Sequence, residues 1–121
     1  MNPGTTPEKA GHTAVLADPK DISSHIRGEK GMVVLFEMTS CPFCRMFEER
    51  FLDFAQSGAR DLEFLRVTID DPGNPLWARY DIHNVPTVIV FANGKITSRL
   101  DSVPFFGISK KKWAEFCAGF K

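Results

Sequence analysis

The stretch that decides the fold of this chain is Met32-Val33-Val34-Leu35-Phe36, with Cys41-Pro42-Phe43-Cys44 shortly after it and a helical run from Arg45 to Ala55. The apolar run predicts a buried strand. Two thiols in this spacing at a strand-to-helix junction indicate a redox pair. Unpaired N–H groups and the positive end of the helix dipole would stabilise a thiolate at Cys41. We therefore expect Cys41 to attack a partner disulfide and Cys44 to resolve the mixed disulfide.

Length and composition restrict the class of protein. The chain has 121 residues, 43% of them hydrophobic and 25% charged, which suits one globular domain. Fifteen basic and fifteen acidic residues give a net charge of zero, which does not favour nucleic acid or an anionic membrane as a partner. No apolar run reaches the roughly 20 residues of a membrane helix. We expect no nucleic-acid partner and no membrane attachment.

The cysteine count and the N-terminal segment predict the location and the domain limits. Three cysteines are too few for a disulfide-stapled secreted scaffold, and the polar segment Met1–Gly11 lacks the apolar core of a signal peptide. We expect a cytoplasmic protein with a flexible tail over residues 1–11 and one folded domain over residues 12–121.

Periodicity and turn residues predict the remaining helices and strands. They are an edge strand at 13–17, a helix at 20–27 that follows Asp18-Pro19, a helix from Cys41 to Ser57 that stops at Gly58, a strand at 62–69, a helix at 75–80 capped by Asn74, a hairpin of 85–91 and 95–100 around Asn93-Gly94, and a helix from Ser109 to Gly119. The order predicts an α/β fold whose central mixed sheet has helices on both faces.

Several segments together carry a family pattern. They are Val33-Val34-Leu35-Phe36, Cys41-Pro42-Phe43-Cys44, Asn74-Pro75 with Tyr80-Asp81-Ile82, Val85-Pro86-Thr87, and Phe91-Ala92-Asn93-Gly94-Lys95. On these segments the chain resembles the thioredoxin family over about residues 13–121. The resemblance implies the thioredoxin-like fold and a protein thiol–disulfide oxidoreductase that reduces substrate disulfides without a cofactor. It also implies a monomer that acts on protein disulfides and is recycled by a disulfide reductase or another external thiol reductant.

The resemblance also implies a role for individual residues. Cys41 matches the nucleophile, Cys44 the buried resolving cysteine, and Pro86 the cis proline beside them. A cis bond at Pro86 would leave the backbone of Val85 free to pair with an extended substrate. The substrate groove would then be bordered by the residues next to these positions, namely Pro42, Phe43, Val85 and Thr87.

Two departures from the family pattern bear on the chemistry. Ser40 precedes the first cysteine where many thioredoxins have tryptophan, and Pro42-Phe43 stands where they have Gly-Pro. The buried acid that the family carries six residues before the first cysteine is replaced by Leu35. Glu37 follows on the same strand face and is the candidate proton shuttle for the resolving cysteine. The alternative is a solvated or capping glutamate at the strand end.

Some segments admit two interpretations. Phe105 and Phe106 would either form an apolar lip that binds substrate or pack under the last helix. Arg45 would either tune Cys41 or pair with Glu48 or Glu49.

The chain as a whole also admits alternatives to an enzyme. It could be a peptide-binding or chaperone-like module with little turnover. Zinc or iron–sulfur binding through the two cysteines is a weaker alternative, because a second ligand pair is missing from the sequence.

Overall fold

The computed structural model describes residues 15–17, 22–57 and 62–120. The predicted tail at 1–11, the helix start at Asp18-Pro19 and the predicted stop at Gly58 lie outside these ranges. The elements are, in chain order, β1 (Val15–Ala17), α1 (Ile22–His25), β2 (Gly31–Glu37), α2 (Pro42–Gln56), β3 (Leu62–Thr68), α3 (Leu76–Arg79), β4 (Thr87–Ala92), β5 (Lys95–Asp101) and α4 (Lys110–Ala118).

The five strands form one mixed sheet in the order β1-β3-β2-β4-β5. β3 pairs in parallel with both β1 and β2. Its parallel pairing with β2 is possible because α2 carries the chain from the end of β2 back to the start of β3. β4 runs antiparallel to β2, and β5 runs antiparallel to β4. The predicted mixed sheet and the predicted edge position of the first strand are confirmed.

Alternation along β2 divides the core between the two faces of the sheet. Met32, Val34 and Phe36 pack with apolar residues of α1 and α3, whereas Val33 and Leu35 pack with those of α2 and α4. A strand buried on both faces reads as a continuous apolar run, as it does here. The same alternation places Glu37 on the α2 face, at the carboxyl end of β2.

Turn and cap residues set the limits of the outer elements. Asn93 and Gly94 both have positive φ, 56° and 79°, as the predicted two-residue hairpin requires. The Ser109 hydroxyl accepts a hydrogen bond from the N–H of Lys112 and begins α4. Asn74 Oδ1 accepts from the N–H of Leu76 at 2.9 Å, although α3 is shorter than expected. β4 begins at Thr87, two residues later than the sequence predicts.

Candidate active site

The two cysteines lie at the first turn of α2, at the carboxyl end of β2. They form a disulfide with Cα atoms 5.2 Å apart, within the usual range for such bonds. Cys41 is the N-cap residue, and its sulfur accepts a hydrogen bond from the N–H of Cys44 at 3.1 Å. Cys44 is 1% exposed, whereas Cys41 is partly exposed. One sulfur of the pair therefore faces solvent beside a helix N-terminus, and the other faces the protein interior.

The segment before β4 lies directly beside the exposed sulfur. The Val85–Pro86 peptide bond is cis, and Cys41 Sγ lies 3.8 Å from the carbonyl oxygen of Val85. Thr87 is fully buried, and its hydroxyl donates to the carbonyl of Asn84 at 2.6 Å. Thr87 therefore supports this segment from the interior and offers no surface to a substrate, whereas Val85 and Phe43 are half-buried and Pro42 is exposed.

Next to Cys44, four charged side chains, those of Glu37, Arg45, Glu48 and Arg66, line a cavity of about 200 Å³ that Cys44 also lines. Arg66 Nε donates to Glu37 Oε2 at 3.0 Å, and an Arg66 Nη donates to Glu48 Oε2. The Cα of Arg66 is in register with that of Leu35. Its side chain therefore reaches along the sheet to the carboxylate at the strand end.

Glu37 is only 4% exposed, so the alternative of a solvated or capping glutamate at the strand end is wrong. Burial raises the pKa of the Glu37 carboxyl to about 7, which is the largest influence on it. The Arg66 guanidinium acts in the opposite direction, and the negative charge of Glu48 adds to the increase. A carboxyl with this pKa exists in both protonation states near neutral pH, which suits proton exchange.

The loop between β2 and α2 is fixed by hydrogen bonds that the sequence did not predict. The N–H and the hydroxyl of Thr39 donate to the two carboxylate oxygens of Asp70, at 2.7 and 2.6 Å. These bonds lower the pKa of Asp70. Arg45 donates to the carbonyl of Thr39 at 2.8 Å, a partner that neither interpretation of its role had named.

Phe105 and Phe106 lie between β5 and α4 and are 88% and 77% exposed. The alternative in which both pack under the last helix is therefore wrong. Their neighbour Gly107 contacts the ring of Phe43, since a Cβ built on Gly107 would lie 3.0 Å from that ring. The turn that carries the two phenylalanines thus contacts Phe43, one of the two residues between the cysteines.

Comparisons with known proteins agree with this geometry. The Thioredoxin family model matches residues 14–105. The chain belongs to the thioredoxin family. It is 27% identical to a thioredoxin of Mycoplasmoides gallisepticum over 84 residues, which are 69% of this chain and 82% of the relative. It is 32% identical to the chloroplastic thioredoxin M5 of Oryza sativa subsp. japonica over 92 residues, 74% of this chain and 53% of the relative.

A solved thioredoxin from Malassezia sympodialis superposes with a TM-score of 0.76 at 20% identity, covering 97% of each chain. The thioredoxin-like fold predicted from the sequence is thereby confirmed. With its cysteine pair at disulfide distance, this member of the thioredoxin family is a thiol–disulfide oxidoreductase.

Two further observations concern the alternatives. In the residues that the structure describes, no helix is both long and apolar enough to cross a membrane. Within the same ranges, no three His, Cys, Asp or Glu side chains come together as a metal site. The remaining cysteine, Cys117, is a half-buried thiol on α4.

Sequence reasoning missed Arg66, Glu48 and Arg99 as parts of the site. The signal that Arg66 offers in the sequence is that it is the one cation of β3, at a position flanked by Leu65 and Val67. Arg99 donates to the carbonyls of Tyr80 and Asp81 at 2.7 and 3.2 Å and so holds the segment that leads to Pro86. These bonds are between distant parts of the chain, and no local pattern predicts them.

Proposed function

We propose that this protein reduces disulfide bonds in other proteins, with Cys41 as the nucleophile and Cys44 as the resolving thiol. The observation that carries the proposal is the asymmetry of the pair. Cys41 is partly exposed, caps the helix and lies against Val85, whereas Cys44 is buried. A helix N-terminus favours the thiolate form of its capping cysteine, so Cys41 is the sulfur suited to attack.

The reaction proceeds in two exchanges. The Cys41 thiolate attacks one sulfur of the substrate disulfide, which forms a mixed disulfide and releases the other substrate sulfur as a thiolate. Cys44, once deprotonated, attacks the Cys41 sulfur and releases the second substrate thiolate, and each released thiolate takes up a proton. The Cys41–Cys44 disulfide remains and is returned to the dithiol by an external thiol reductant or a disulfide reductase.

Glu37 is our proposed acceptor for the proton of Cys44. The two residues line the same cavity, and the pKa of Glu37 near 7 allows the carboxylate to take up a proton and release it again. The usual family acid precedes the first cysteine by six residues, where this chain has Leu35. Glu37 thus supplies a carboxyl from one alternation further along the same strand face.

The substrate would lie across Val85 and the surface of Pro42 and Phe43, while the buried Pro86 fixes the course of the backbone after Val85. Backbone groups of the segment before β4 are available to pair with an extended chain beside the exposed sulfur. Two curated relatives named thioredoxins support the reducing direction. The chain has only three cysteines, and two of them form the redox pair. This low number favours a reducing compartment such as the cytoplasm as the location of the protein, where it would act as a monomer.

Paired cysteine variants test the two assigned roles. Cys41→Ser is expected to abolish reduction of insulin disulfides, and Cys44→Ser to accumulate a mixed disulfide that mass spectrometry detects. Cys117→Ser is the matched control and should keep the wild-type rate. Insulin reduction by Cys41→Ser at the wild-type rate would contradict the assignment. Peptide binding by a wild-type protein that reduces no disulfide would instead support a binding module.

A redox titration tests the direction. Equilibrated with glutathione buffers, the pair is expected to show a potential below the roughly −240 mV of the cellular glutathione pool. A potential well above that value would show that oxidation of substrates is favoured.

A further inference from the structure

A concentrated apolar surface lies beside the redox pair. Among the described residues, five large apolar side chains are exposed, and three of them fall within one segment, Val103, Phe105 and Phe106. We name residues 103–107 the lip. Burial of such side chains is the main favourable term in protein stability, so their exposure together indicates a surface that receives a partner.

The lip is held in place by hydrogen bonds within it. The N–H of Val103 donates to the carbonyl of Gly107, and the N–H groups of Phe106 and Gly107 donate to the carbonyl of Val103, all at 2.9 Å. Phe105 is at the tip of this turn with a φ of 72°, an uncommon value for a residue with a side chain. The turn therefore presents its aromatic side chains from an ordered backbone, which reduces the entropy cost of binding.

Both ends of the lip join the active site. The N–H of Ser102, the residue before the lip, donates to the carbonyl of Pro86 at 3.2 Å. At the other end, Gly107 meets the ring of Phe43. A substrate chain bound along Val85 with its sulfur at Cys41 would therefore pass directly beside the lip.

A groove under the lip has room for a large side chain. Its volume is about 360 Å³. Besides Gly107, its lining combines four apolar residues with three polar ones, namely Leu100, Val103, Phe106 and Ile108 together with Asp101, Ser109 and Lys112. Clefts of this kind bind apolar groups and use their few polar groups to orient them.

The charges at the groove favour an acidic partner. Lys112 lines the groove, and Lys110 and Lys111 precede it in the exposed first turn of α4. The acid in the lining, Asp101, accepts hydrogen bonds from Arg99 at 2.8 and 3.1 Å, so its charge is already compensated. A carboxylate near the bound apolar side chain would interact favourably with the lysines.

We propose that the lip and its groove select substrates in which the reactive cysteine is followed or preceded by a large apolar residue and, near it, an acidic residue. This inference rests on the proposed disulfide reduction and names its substrate class. The occupant is an extended segment of a disulfide-bearing polypeptide, with the apolar side chain in the groove and the carboxylate at the lysines.

Single-turnover kinetics with synthetic peptides test the inference. Pre-reduced protein is mixed with symmetrical peptide disulfides whose residues beside the cysteine are Leu and Glu, Leu and Lys, or Ser and Glu, and the second-order rate constants are divided by that for glutathione disulfide. We expect Leu to exceed Ser by about tenfold, from burial of one side chain. We expect Glu to exceed Lys by about threefold at low salt, and by less at high salt.

Variants of the lip identify the source of the preference. In Phe105→Ser/Phe106→Ser the Leu-to-Ser ratio should fall toward one, and in Lys112→Glu the Glu-to-Lys ratio should reverse. Ile96→Ser and Lys95→Glu, at the far end of β5, are the matched controls and should keep both ratios.

Three outcomes would overturn the inference. They are equal rates for all peptides, preferences that survive in the lip variants, and a double-serine variant that changes only self-association or binding to lipid vesicles. A wild-type protein that reduces neither the peptides nor glutathione disulfide would instead contradict the proposed function. The two failures are therefore distinguishable.

Discussion

Two regions flank the cysteine pair and differ in polarity: one places charged side chains around a cavity, and the other exposes apolar side chains to solvent. Next to Cys44, the charged side chains of Glu37, Arg45, Glu48 and Arg66 line a cavity of about 200 Å³. In the segment that meets Phe43 through Gly107, the aromatic rings of Phe105 and Phe106 are exposed to solvent. Charges are normally exposed and phenylalanines normally buried, so each region gives up stability that an ordinary arrangement would provide.

We infer that the two regions serve different functions, proton exchange in one and contact with a partner in the other. The buried carboxyl acquires a pKa near 7 from its surroundings, which it could not have in water. The exposed rings acquire no altered chemistry but offer area to a partner. If this division holds, changes in the buried region should affect stability and proton transfer, whereas changes in the lip should affect substrate choice with little loss of stability.

The largest effect is expected from Arg66→Met, which removes the cation that Glu37 and Glu48 share. Without Arg66 the pKa of Glu37 rises further, so the folded state must either bury an unpaired carboxylate beside Glu48 or take up a proton at pH 8, and we expect the free energy of unfolding at pH 8 to fall by about 3 kcal/mol. Denaturant titration measures the change. Lys30→Met is the matched control, because Lys30 pairs with Glu63 at 3.5 Å on the surface and its loss should cost less than about 0.5 kcal/mol.

A double variant sharpens this test. Adding Glu37→Gln to Arg66→Met removes the buried negative charge and should restore more than half of the lost stability. Equal losses for the single and the double variant would show that Arg66 contributes by packing alone.

The next effect concerns the contact that joins the lip to the cysteine pair. Gly107→Ala places a methyl group 3.0 Å from the Phe43 ring at a φ of 71°, and we expect a loss of about 2 kcal/mol. Gly94→Ala is the matched control, since its φ is 79° but its Cβ would have open space. It should lose only about 1 kcal/mol, the backbone part of the cost.

A second substitution at Phe43 tests whether its ring causes the additional loss of stability in Gly107→Ala. Phe43→Ala in the Gly107→Ala background should recover part of the difference between the two glycine variants in thermal or denaturant unfolding, because it removes the ring atoms but keeps the Phe43 Cβ, 3.1 Å from the new methyl group. If Gly107→Ala and Gly94→Ala lost equal stability, the lip would not be in contact with Phe43 as the structure describes.

The proposed proton transfer predicts a smaller but more specific effect. Reduced protein in the Cys117→Ser background, mixed with 5,5′-dithiobis(2-nitrobenzoate), releases one chromophore when Cys41 is modified and a second when Cys44 resolves the adduct. The rate constant of the second phase should rise with pH, with a midpoint near 7, the pKa of Glu37. In Glu37→Gln it should be about tenfold slower at pH 8 and lose this midpoint. Glu63→Gln, an exposed acid on β3, is the control.

The same substitution has a pH-dependent effect on stability. The pKa of folded Glu37 is raised from 4.5 to about 7, so the folded state binds the proton more tightly than the unfolded chain. The stabilisation that comes from this tighter proton binding is complete below about pH 4.5 and is lost as the pH rises to about 7. The stability of the wild type relative to Glu37→Gln should therefore decline across this interval. A constant difference would place an ordinary carboxyl at this position.

Much of the fold was predictable from the sequence because its signals are local. The apolar run of β2, the Asn93-Gly94 turn and the Ser109 cap each specify a structure through their own residue types. The cysteine pair was predictable for the same reason. The position of Glu37 on the α2 face followed from alternation along β2.

The rest of the site depends on distant contacts. Arg66 reaches Glu37 because β3 lies in parallel register beside β2, so the lone cation of β3 does not by itself identify its partner in the sequence. The segment from Val103 to Gly107 could be expected to bury or to expose its phenylalanines. In the structure, hydrogen bonds between Val103 and Gly107 close the turn, and both phenylalanine rings are exposed.

The smallest expected effect concerns stability at the tip of the lip, and it distinguishes this region most clearly from the buried charges. Phe105 has a φ of 72° and is 88% exposed, so Phe105→Gly relieves an unfavourable backbone conformation and loses few contacts. We expect a gain of about 0.5 kcal/mol in the free energy of unfolding. Phe106→Gly, at an ordinary φ, should instead lose a similar amount, since glycine is less restricted in the unfolded chain. A large loss for Phe105→Gly would mean that the ring stabilises the fold and is not held out for a partner.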